Sequence, residues 1–166
     1  MTQVKSKFAS LLLLSALAAV AGASGYLLHK TQSSSESGFY KVIEVIDGDT
    51  IRVERQGKVR MVRLLGIDTP EISNPHKPEG CFGKEASEKT KELLKNQNVY
   101  LIPDPLSSDE DKFGRMLRYV FLENGLLVNA RLIEGGYAYN YIYEPFQLMK
   151  QFDFLEKQAR GLKIGL

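Results

Sequence analysis

The stretch YKVIEVIDGDTIRV, residues 40–53, decides the fold class of this chain. Its two β-branched runs, residues 40–46 and 50–53, are separated by the letters DGD, which favour a turn. The pattern therefore predicts two short strands joined by a tight connection. Gly57 marks a second turn, after which residues 59–67 predict a third strand.

The rest of the chain adds strands and helices around this start. Residues 98–102 and 116–122 predict two further strands, on either side of a polar loop at 103–114. Helical composition or apolar spacing predicts three helices, at residues 83–95, 128–134 and 146–160. Short strands with helices interspersed late predict a β-barrel with flanking helices, an α+β fold. A five-stranded oligonucleotide/oligosaccharide-binding (OB) barrel with about three helices is the natural candidate.

Composition limits the alternatives. The 166 residues are enough for one globular domain with an appendage, and they include 22 Lys plus Arg and 20 Asp plus Glu. This composition excludes collagen-like and disordered chains. Cys81 is the single cysteine of the sequence, so no disulfide can form within the chain.

The N-terminal segment has the pattern of a targeting sequence. Lys5 and Lys7 precede an uncharged apolar run at residues 8–28 that contains the letters AGA. Residues 1–28 are therefore predicted to be a signal peptide, cut after about residue 23, or an uncleaved membrane anchor, since about 20 residues span a bilayer. Both predictions place the remainder outside the cytoplasm. A flexible linker at 29–38 and a globular domain at 39–166 follow.

Charged side chains stand where the strand pattern calls for apolar ones. By alternation, Asp49 shares a strand face with Ile51, and Arg63 shares one with Met61. A charge on a core-facing stripe is costly unless it is paired. We therefore expect these charges to meet one another in the fold.

Two further carboxylates follow the third strand, at Asp68 and Glu71. One reading of the whole set is a buried salt bridge between Arg63 and a single acid. Three acids against one arginine leave surplus negative charge, however, and oxygen ligands suit a hard cation such as calcium or magnesium. The turn letters DGD also suggest an EF-hand loop, but the acids that such a loop requires further along are missing from the sequence.

Four strings carry a resemblance to a known family: VIDGDTI (45–51), VRLLGIDTPE (62–71), DKFGRML (111–117) and YIYEP (141–145). In order and spacing they resemble the staphylococcal (thermo)nuclease family, over essentially all of residues 39–160. The resemblance implies the same five-stranded barrel with three helices. It also implies calcium-dependent hydrolysis of phosphodiester bonds in DNA and RNA, with low sequence specificity, to 3′-phosphate ends.

The resemblance also implies a role for each matching residue. The implied ligands of one Ca²⁺ ion are the carboxylates of Asp49 and Asp68 and the carbonyl of Thr69. The implied catalytic residues, which act on the attacking water or grip the scissile phosphate, are Glu71, Arg63 and Arg115. The implied substrate-binding residues, near a second phosphate or a base, are Lys112, Phe113, Tyr141 and Tyr143.

Two positions depart from the family pattern. Phe113 stands where the family has a tyrosine, and Glu144 stands where a lysine often precedes Pro145. Taken without the resemblance, the alternating tyrosines from Tyr137 to Tyr143 predict an ordinary aromatic ladder on one strand.

Single-stranded DNA or RNA is the expected substrate, and the protein is expected to act as a monomer. A non-catalytic nucleic-acid-binding OB module is the main alternative to a nuclease. A more remote alternative is an oligosaccharide-binding barrel, in which paired arginines have no purpose.

Overall fold

The structure is a computed structural model that describes residues 38–71 and 81–166. The predicted signal or anchor at 1–28, and all of the predicted linker except Gly38, lie outside the described residues. In the part of the chain that is described, no helix is long and apolar enough to cross a membrane.

Five strands close into a barrel with the neighbour order β1-β2-β3-β6-β5. These strands are β1 (Tyr40–Val45), β2 (Thr50–Arg55), β3 (Lys58–Leu64), β5 (Asn98–Ile102) and β6 (Met116–Leu122). The β3–β6 pair is parallel and the other barrel pairs are antiparallel. The predicted five-stranded barrel is thus confirmed, and the strand bounds agree with the sequence pattern to within two residues except in β3.

The predicted third strand over residues 59–67 is wrong in one respect, because the chain turns before it ends. Gly66 has φ of +76°, a left-handed conformation, and a Cβ atom there would lie 2.7 Å from the Phe146 ring. The turn ends β3 at Leu64 and starts a separate short strand, β4 (Ile67–Asp68). It pairs with β7 (Tyr139–Asn140) in a second, two-stranded sheet. That pairing brings a late segment of the chain beside Asp68.

Three helices flank the barrel: α1 (Gly83–Leu94), α2 (Val128–Glu134) and α3 (Met149–Gly161). The first two match the predicted bounds to within a residue. The last was predicted from residue 146, but Phe146 and Leu148 precede the helix. Phe146 packs instead against Phe152 of α3, with ring centroids 5.6 Å apart. The apolar residues of this segment thus include buried ones, Phe146 and Phe152, although the helix itself begins at Met149.

The barrel core follows the alternation of its strands. Ile51 and Val53 of β2 and Val62 and Leu64 of β3 are fully buried. Arg63 therefore lies on the opposite face of β3 from these core residues, and its neighbour on that face, Met61, is 37% exposed. The prediction of a core-facing stripe at Arg63 is wrong, because the inward positions of β3 are the even-numbered ones.

The predicted aromatic ladder of tyrosines is also wrong. In the described segment after α2, the strand is limited to Tyr139–Asn140, and Tyr141 and Tyr143 lie in irregular chain beyond it. The alternating pattern continues in the sequence, but Asn140 lies opposite Ile67, where the antiparallel partner β4 begins, so the pairing stops at the Gly66 turn.

A buried asparagine joins the barrel to α2. The Asn129 side chain accepts a hydrogen bond from the Val120 N–H (2.9 Å) and donates to the carbonyl oxygens of Leu65 (2.9 Å) and Arg118 (3.2 Å). Asn129 is fully buried, so water cannot take over its hydrogen bonds to these backbone groups if the side chain is removed. Asn129 thereby ties α2 to β6 and to the turn after β3.

We predict that Asn129→Ala lowers the free energy of unfolding by about 2–4 kcal/mol, because it leaves buried backbone groups without partners. Asn98→Ala is the matched control, since Asn98 is exposed and bonds to Glu123 at the surface; its cost should stay below about 0.5 kcal/mol. Urea denaturation measures both, and equal losses would contradict the role given to Asn129.

Candidate active site

The turn between β1 and β2 is built by its own first carboxylate. The Asp47 Oδ1 atom accepts hydrogen bonds from the backbone N–H groups of Asp49 (3.0 Å) and Thr50 (2.7 Å). On the far side of the turn, the Thr90 hydroxyl of α1 donates to the Gly48 carbonyl at 2.7 Å. These contacts hold the backbone on both sides of Asp49 and direct its side chain into the protein.

Asp49 is buried and surrounded by donors. Its Oδ2 atom accepts from the Thr69 N–H (2.9 Å) and the Thr69 hydroxyl (3.0 Å). Its Oδ1 atom accepts from the Thr50 hydroxyl at 3.1 Å and lies 3.2 Å from Arg63 Nε. The predicted meeting of Asp49 and Arg63 is therefore observed, although Arg63 reaches Asp49 from the outer side of the barrel wall.

Arg63 connects three segments of the site. Besides Asp49, its guanidinium contacts the Asp68 carboxylate through Nη2 at 2.8 Å. Through Nη1 it donates to the carbonyl oxygen of Ile67 at 2.7 Å. Its side chain is only 12% exposed, whereas that of Asp68 is 50% exposed. The buried arginine thus holds one buried and one accessible carboxylate on the same side of the barrel.

The balance of charge around Asp49 disfavours its ionised form. Burial raises the pKa of Asp49 to about 6 against the opposing effect of Arg63, and the negative charges of Asp47 and Asp68 act in the same direction as burial. An additional cation beside these carboxylates would offset that repulsion. Their chemistry, hard oxygen donors in excess of one arginine, fits a divalent ion such as calcium.

Glu71 follows this cluster in the chain. Thr69 is buried, and Glu71 two residues later is exposed. The Glu71 backbone packs under the first residue of α1, because a Cβ atom added at Gly83 would lie 2.4 Å from the Glu71 carbonyl oxygen. Across residues 38–71 and 81–166, no three His, Cys, Asp or Glu side chains group closely enough to hold a metal ion, so protein carbonyls and water would have to complete a coordination shell.

The second arginine is held by a carboxylate four residues before it. Asp111 accepts the Arg115 N–H through Oδ1 (3.0 Å) and Arg115 Nε through Oδ2 (2.7 Å). Burial raises the pKa of Asp111, but these hydrogen bonds outweigh burial and hold the pKa below its ordinary value. Arg115 Nη1 also lies 3.3 Å from the Thr50 hydroxyl, which stands opposite Arg63 in the β2–β3 pair. Thr50 thus connects the surroundings of the two arginines.

A cleft of about 490 Å³ lies beside these groups. It brings together seven of the ten site residues predicted from the sequence: Arg63, Asp68, Lys112, Phe113, Arg115, Tyr141 and Tyr143. Asp49, Thr69 and Glu71 are not among the residues that line it. The charged lining consists of three cationic side chains and four anionic ones, Asp68, Glu110, Asp111 and Glu144. Without a bound cation, the cleft is therefore not electrostatically attractive to a polyanion.

The aromatic side chains of the cleft are accessible. Phe113 is 72% exposed, and its ring lies 5.0 Å from Lys112 Nζ and 5.4 Å from the Arg115 guanidinium carbon. Tyr143 is 82% exposed and Tyr141 about half exposed. The Tyr141 N–H donates to the Gly66 carbonyl at 3.0 Å, which fixes the start of this segment beside the turn after β3.

Comparison with known proteins identifies a family that the chain resembles. A family model described as "Staphylococcal nuclease homologue" matches residues 61–166. A thermonuclease of Staphylococcus hyicus is 41% identical over 132 residues, which cover 79% of this chain and 76% of that protein. A thermonuclease of Staphylococcus intermedius is 37% identical over 138 residues, covering 81% and 80%. Endonuclease YncB of Bacillus subtilis is 36% identical over 122 residues, covering 73% and 57%.

The chain belongs to the staphylococcal nuclease family. The predicted family is thereby confirmed, and the closed barrel with three helices agrees with it. The thermonuclease and endonuclease relatives support a nuclease, and hence hydrolase, activity for this member of the family.

Sequence reasoning missed several residues that shape the site of this staphylococcal nuclease homologue. Thr50 and Asp111 orient Arg115, and Ser107 and Ser108 bind Glu144 across the cleft. Asp111 could have been found from its spacing, since an acid four residues before an arginine is a common pair. The serine contacts join positions 36 and 37 residues apart and have no local signal.

We predict that Asp49→Asn, with chelator present, removes a loss of stability that the wild type shows as the pH rises from about 4 to about 6. The folded pKa of about 6 lies above the ordinary 3.8, so the folded state binds the proton more tightly. Wild-type stability therefore falls as pH rises from about 4 to about 6, and the variant should avoid that loss, on the order of 2 kcal/mol.

Asp111→Asn is the matched control with the opposite sign. The pKa of Asp111 is depressed, so the charged form stabilises the fold, and the variant should be less stable at neutral pH and approach wild type in acid. Urea denaturation from about pH 2 to about pH 8 measures both, because the Asp111 contribution is lost only below its ordinary pKa of 3.8. A wild-type stability that rises between pH 4 and 6 relative to Asp49→Asn would contradict the raised pKa.

Proposed function

We propose that this protein is a calcium-dependent nuclease that hydrolyses phosphodiester bonds of DNA and RNA with low sequence specificity, outside the cytoplasm. The observation that supports this most strongly is the placement of Arg63 and Arg115 in one cleft, each fixed by a carboxylate. Two guanidinium groups on one cleft suit a phosphate that gains negative charge during attack by water.

Asp49, Asp68 and the Thr69 carbonyl would hold the calcium ion in this proposal. When bound, the ion supplies positive charge that stabilises the phosphoryl oxygens in the transition state and lowers the pKa of bound water. The surplus of carboxylates in the cleft and the raised pKa of Asp49 both support a cation there. The site does not depend on an ion for its shape, because Arg63 and Thr69 already hold Asp49 in place.

Arg63 and Arg115 would bind the scissile phosphate. Arg63 already makes contacts to Asp49, Ile67 and Asp68, so a phosphate oxygen that reaches Nη2 competes with Asp68. Arg115 uses Nε and Nη1 for Asp111 and Thr50, which leaves its Nη2 group outside those two contacts. Both groups stabilise charge that grows in the transition state, so they should act on the rate more than on ground-state binding.

Glu71 would accept the proton of the attacking water or orient that water. It is exposed two residues after Thr69, and its backbone packs against Gly83. An accessible carboxylate held in a defined place can serve as a general base once water and substrate are bound within about 3 Å.

Lys112, Phe113, Tyr141 and Tyr143 would bind the flanking nucleotides. The exposed rings offer stacking surfaces that tolerate any base, and stacking needs bases that are not already stacked in a duplex. This supports a preference for single-stranded substrate. The phenylalanine at 113 keeps the ring but has no hydroxyl, so Lys112 remains the cation for a neighbouring phosphate.

Export of the protein is supported by the sequence of residues 1–28, as a signal peptide or as an anchor through residues 8–28. Removal of residues 1–23 takes away Lys5 and Lys7 and leaves 20 basic and 20 acidic residues. A neutral mature chain, acting as a monomer, would then rely on local groups in the cleft to attract substrate.

We predict that hydrolysis of denatured DNA requires calcium and stops with chelator, and that Arg63→Lys, Arg115→Lys and Glu71→Gln each lower the rate about 100-fold or more. Arg131→Lys is the matched control, because Arg131 pairs with Glu134 on α2 and does not line the cleft. DNA binding without hydrolysis in millimolar calcium would favour the non-catalytic OB module instead. An unchanged rate with chelator would refute the metal assignment.

Salt dependence gives a separate prediction. The cleft offers three cations, Arg63, Lys112 and Arg115, so binding of a single strand should involve about three phosphates. The logarithm of the binding constant should then fall with the logarithm of salt concentration with a slope of about −2. Titration of labelled oligothymidylate at several salt concentrations measures the slope, and a value near −5 would mean that a larger basic surface binds the strand.

A further inference from the structure

Glu144 joins the two walls of the cleft. Its Oε1 atom accepts hydrogen bonds from the Ser107 hydroxyl (2.7 Å) and the Ser108 N–H (2.9 Å), and its Oε2 atom accepts from the Ser108 hydroxyl (2.9 Å). Ser107 and Ser108 belong to the loop that goes on to carry Lys112 and Arg115, whereas Glu144 follows Tyr143. The carboxylate is therefore held in one place at the rim of the cleft.

The surroundings of Glu144 differ from those of the other acids that line the cleft. Asp68 is paired with Arg63, Glu110 with Arg60, and Asp111 with Arg115. For Glu144, the described parts of the chain provide no Lys, Arg or His within ion-pair distance, and its hydrogen bonds come from the neutral Ser107 and Ser108. The serine hydrogen bonds lower the pKa of Glu144, so it stays ionised at neutral pH. Its negative charge in the cleft is ordered but not neutralised.

We propose that Glu144 is a specificity-determining residue, which disfavours a phosphate group at the Tyr143 side of the cleft and favours a nucleotide that ends there in a hydroxyl. The inference rests on the proposed nucleic-acid substrate and goes further, because it specifies which chain ends the cleft accepts. A phosphate and a fixed carboxylate within a few ångströms repel each other, whereas a sugar hydroxyl can donate to a remaining lone pair of the carboxylate. The cations Arg63 and Arg115 would bind the phosphodiester on the other side.

The test uses three thymidine trinucleotides with phosphorothioate linkages that resist hydrolysis. They carry hydroxyls at both ends, a 5′-phosphate, or a 3′-phosphate. Binding is measured by calorimetry with calcium present. For wild type, we expect one of the two terminal phosphates to weaken binding about three- to fivefold, the range expected for a partly exposed charge pair.

Glu144→Gln should remove this penalty. The amide keeps the shape of the carboxylate. Its oxygen can accept from the Ser107 hydroxyl and the Ser108 N–H, and its NH₂ group can donate to the Ser108 hydroxyl, so the change mainly removes charge. Glu88→Gln is the matched control, because it alters net charge equally on the exposed face of α1 and does not line the cleft. It should keep the wild-type penalty. The double variant with Ser107→Ala and Ser108→Ala keeps the carboxylate charge but removes the two hydroxyl contacts that hold it, so its penalty should be smaller than that of the wild type.

The outcomes separate this inference from the proposed function. The inference is refuted if neither terminal phosphate weakens wild-type binding, if Glu144→Gln keeps the penalty, if the serine variant keeps it in full, or if none of the trinucleotides binds. Hydrolysis of ordinary denatured DNA is measured in parallel. If the wild type cleaves DNA but does not discriminate between the chain ends, the proposed function stands and the inference fails. If it discriminates between the ends but does not cleave DNA, the inference stands and the proposed function fails.

Discussion

The site depends on one buried guanidinium. Arg63 lies on the outer face of β3, yet it is almost inaccessible, because the β1–β2 turn and the short strand β4 close over it. Its contacts to Asp49, the Ile67 carbonyl and Asp68 join the first hairpin to the segment that carries Thr69 and Glu71. Removing either carboxylate would leave the arginine charge partly unpaired at low dielectric, which is costly. The chemistry and the local fold therefore depend on the same ion pairs.

The cleft combines stacking surfaces with a charge balance that is close to neutral. Most of its carboxylates are bound to arginines, so they position cations and do not merely oppose the substrate. Because the charges of the cleft nearly cancel, the protein alone has only a weak electrostatic attraction for nucleic acid. Substrate binding therefore depends jointly on an added cation, the arginines and the exposed rings. For the same reason, the net charge of the chain is a poor indicator of its function.

Much of the architecture was predictable because local signals and tertiary structure agree. Residues 98–102, 116–122 and 128–134 adopt the predicted elements, since β-branched composition or terminal glycines act within a few residues. The errors fall where distant contacts decide. The predicted third strand breaks at Gly66 because the Phe146 ring packs against that turn, and the last helix begins late because Phe146 is buried outside it. Neither contact has a local signature.

The sequence by itself determined the family, the barrel, and the residue types available for phosphate and metal chemistry, because the strings that carry them are short and contiguous. Only the tertiary structure decided which face of β3 Arg63 occupies, that Thr50 and Asp111 orient Arg115, and that Glu144 binds two serines across the cleft. These contacts depend on the closure of the barrel and on the pairing of β4 with β7, which bring together segments far apart in the chain. Periodicity reports which residues share a face, but it carries no information on which face points inward or on what those residues contact.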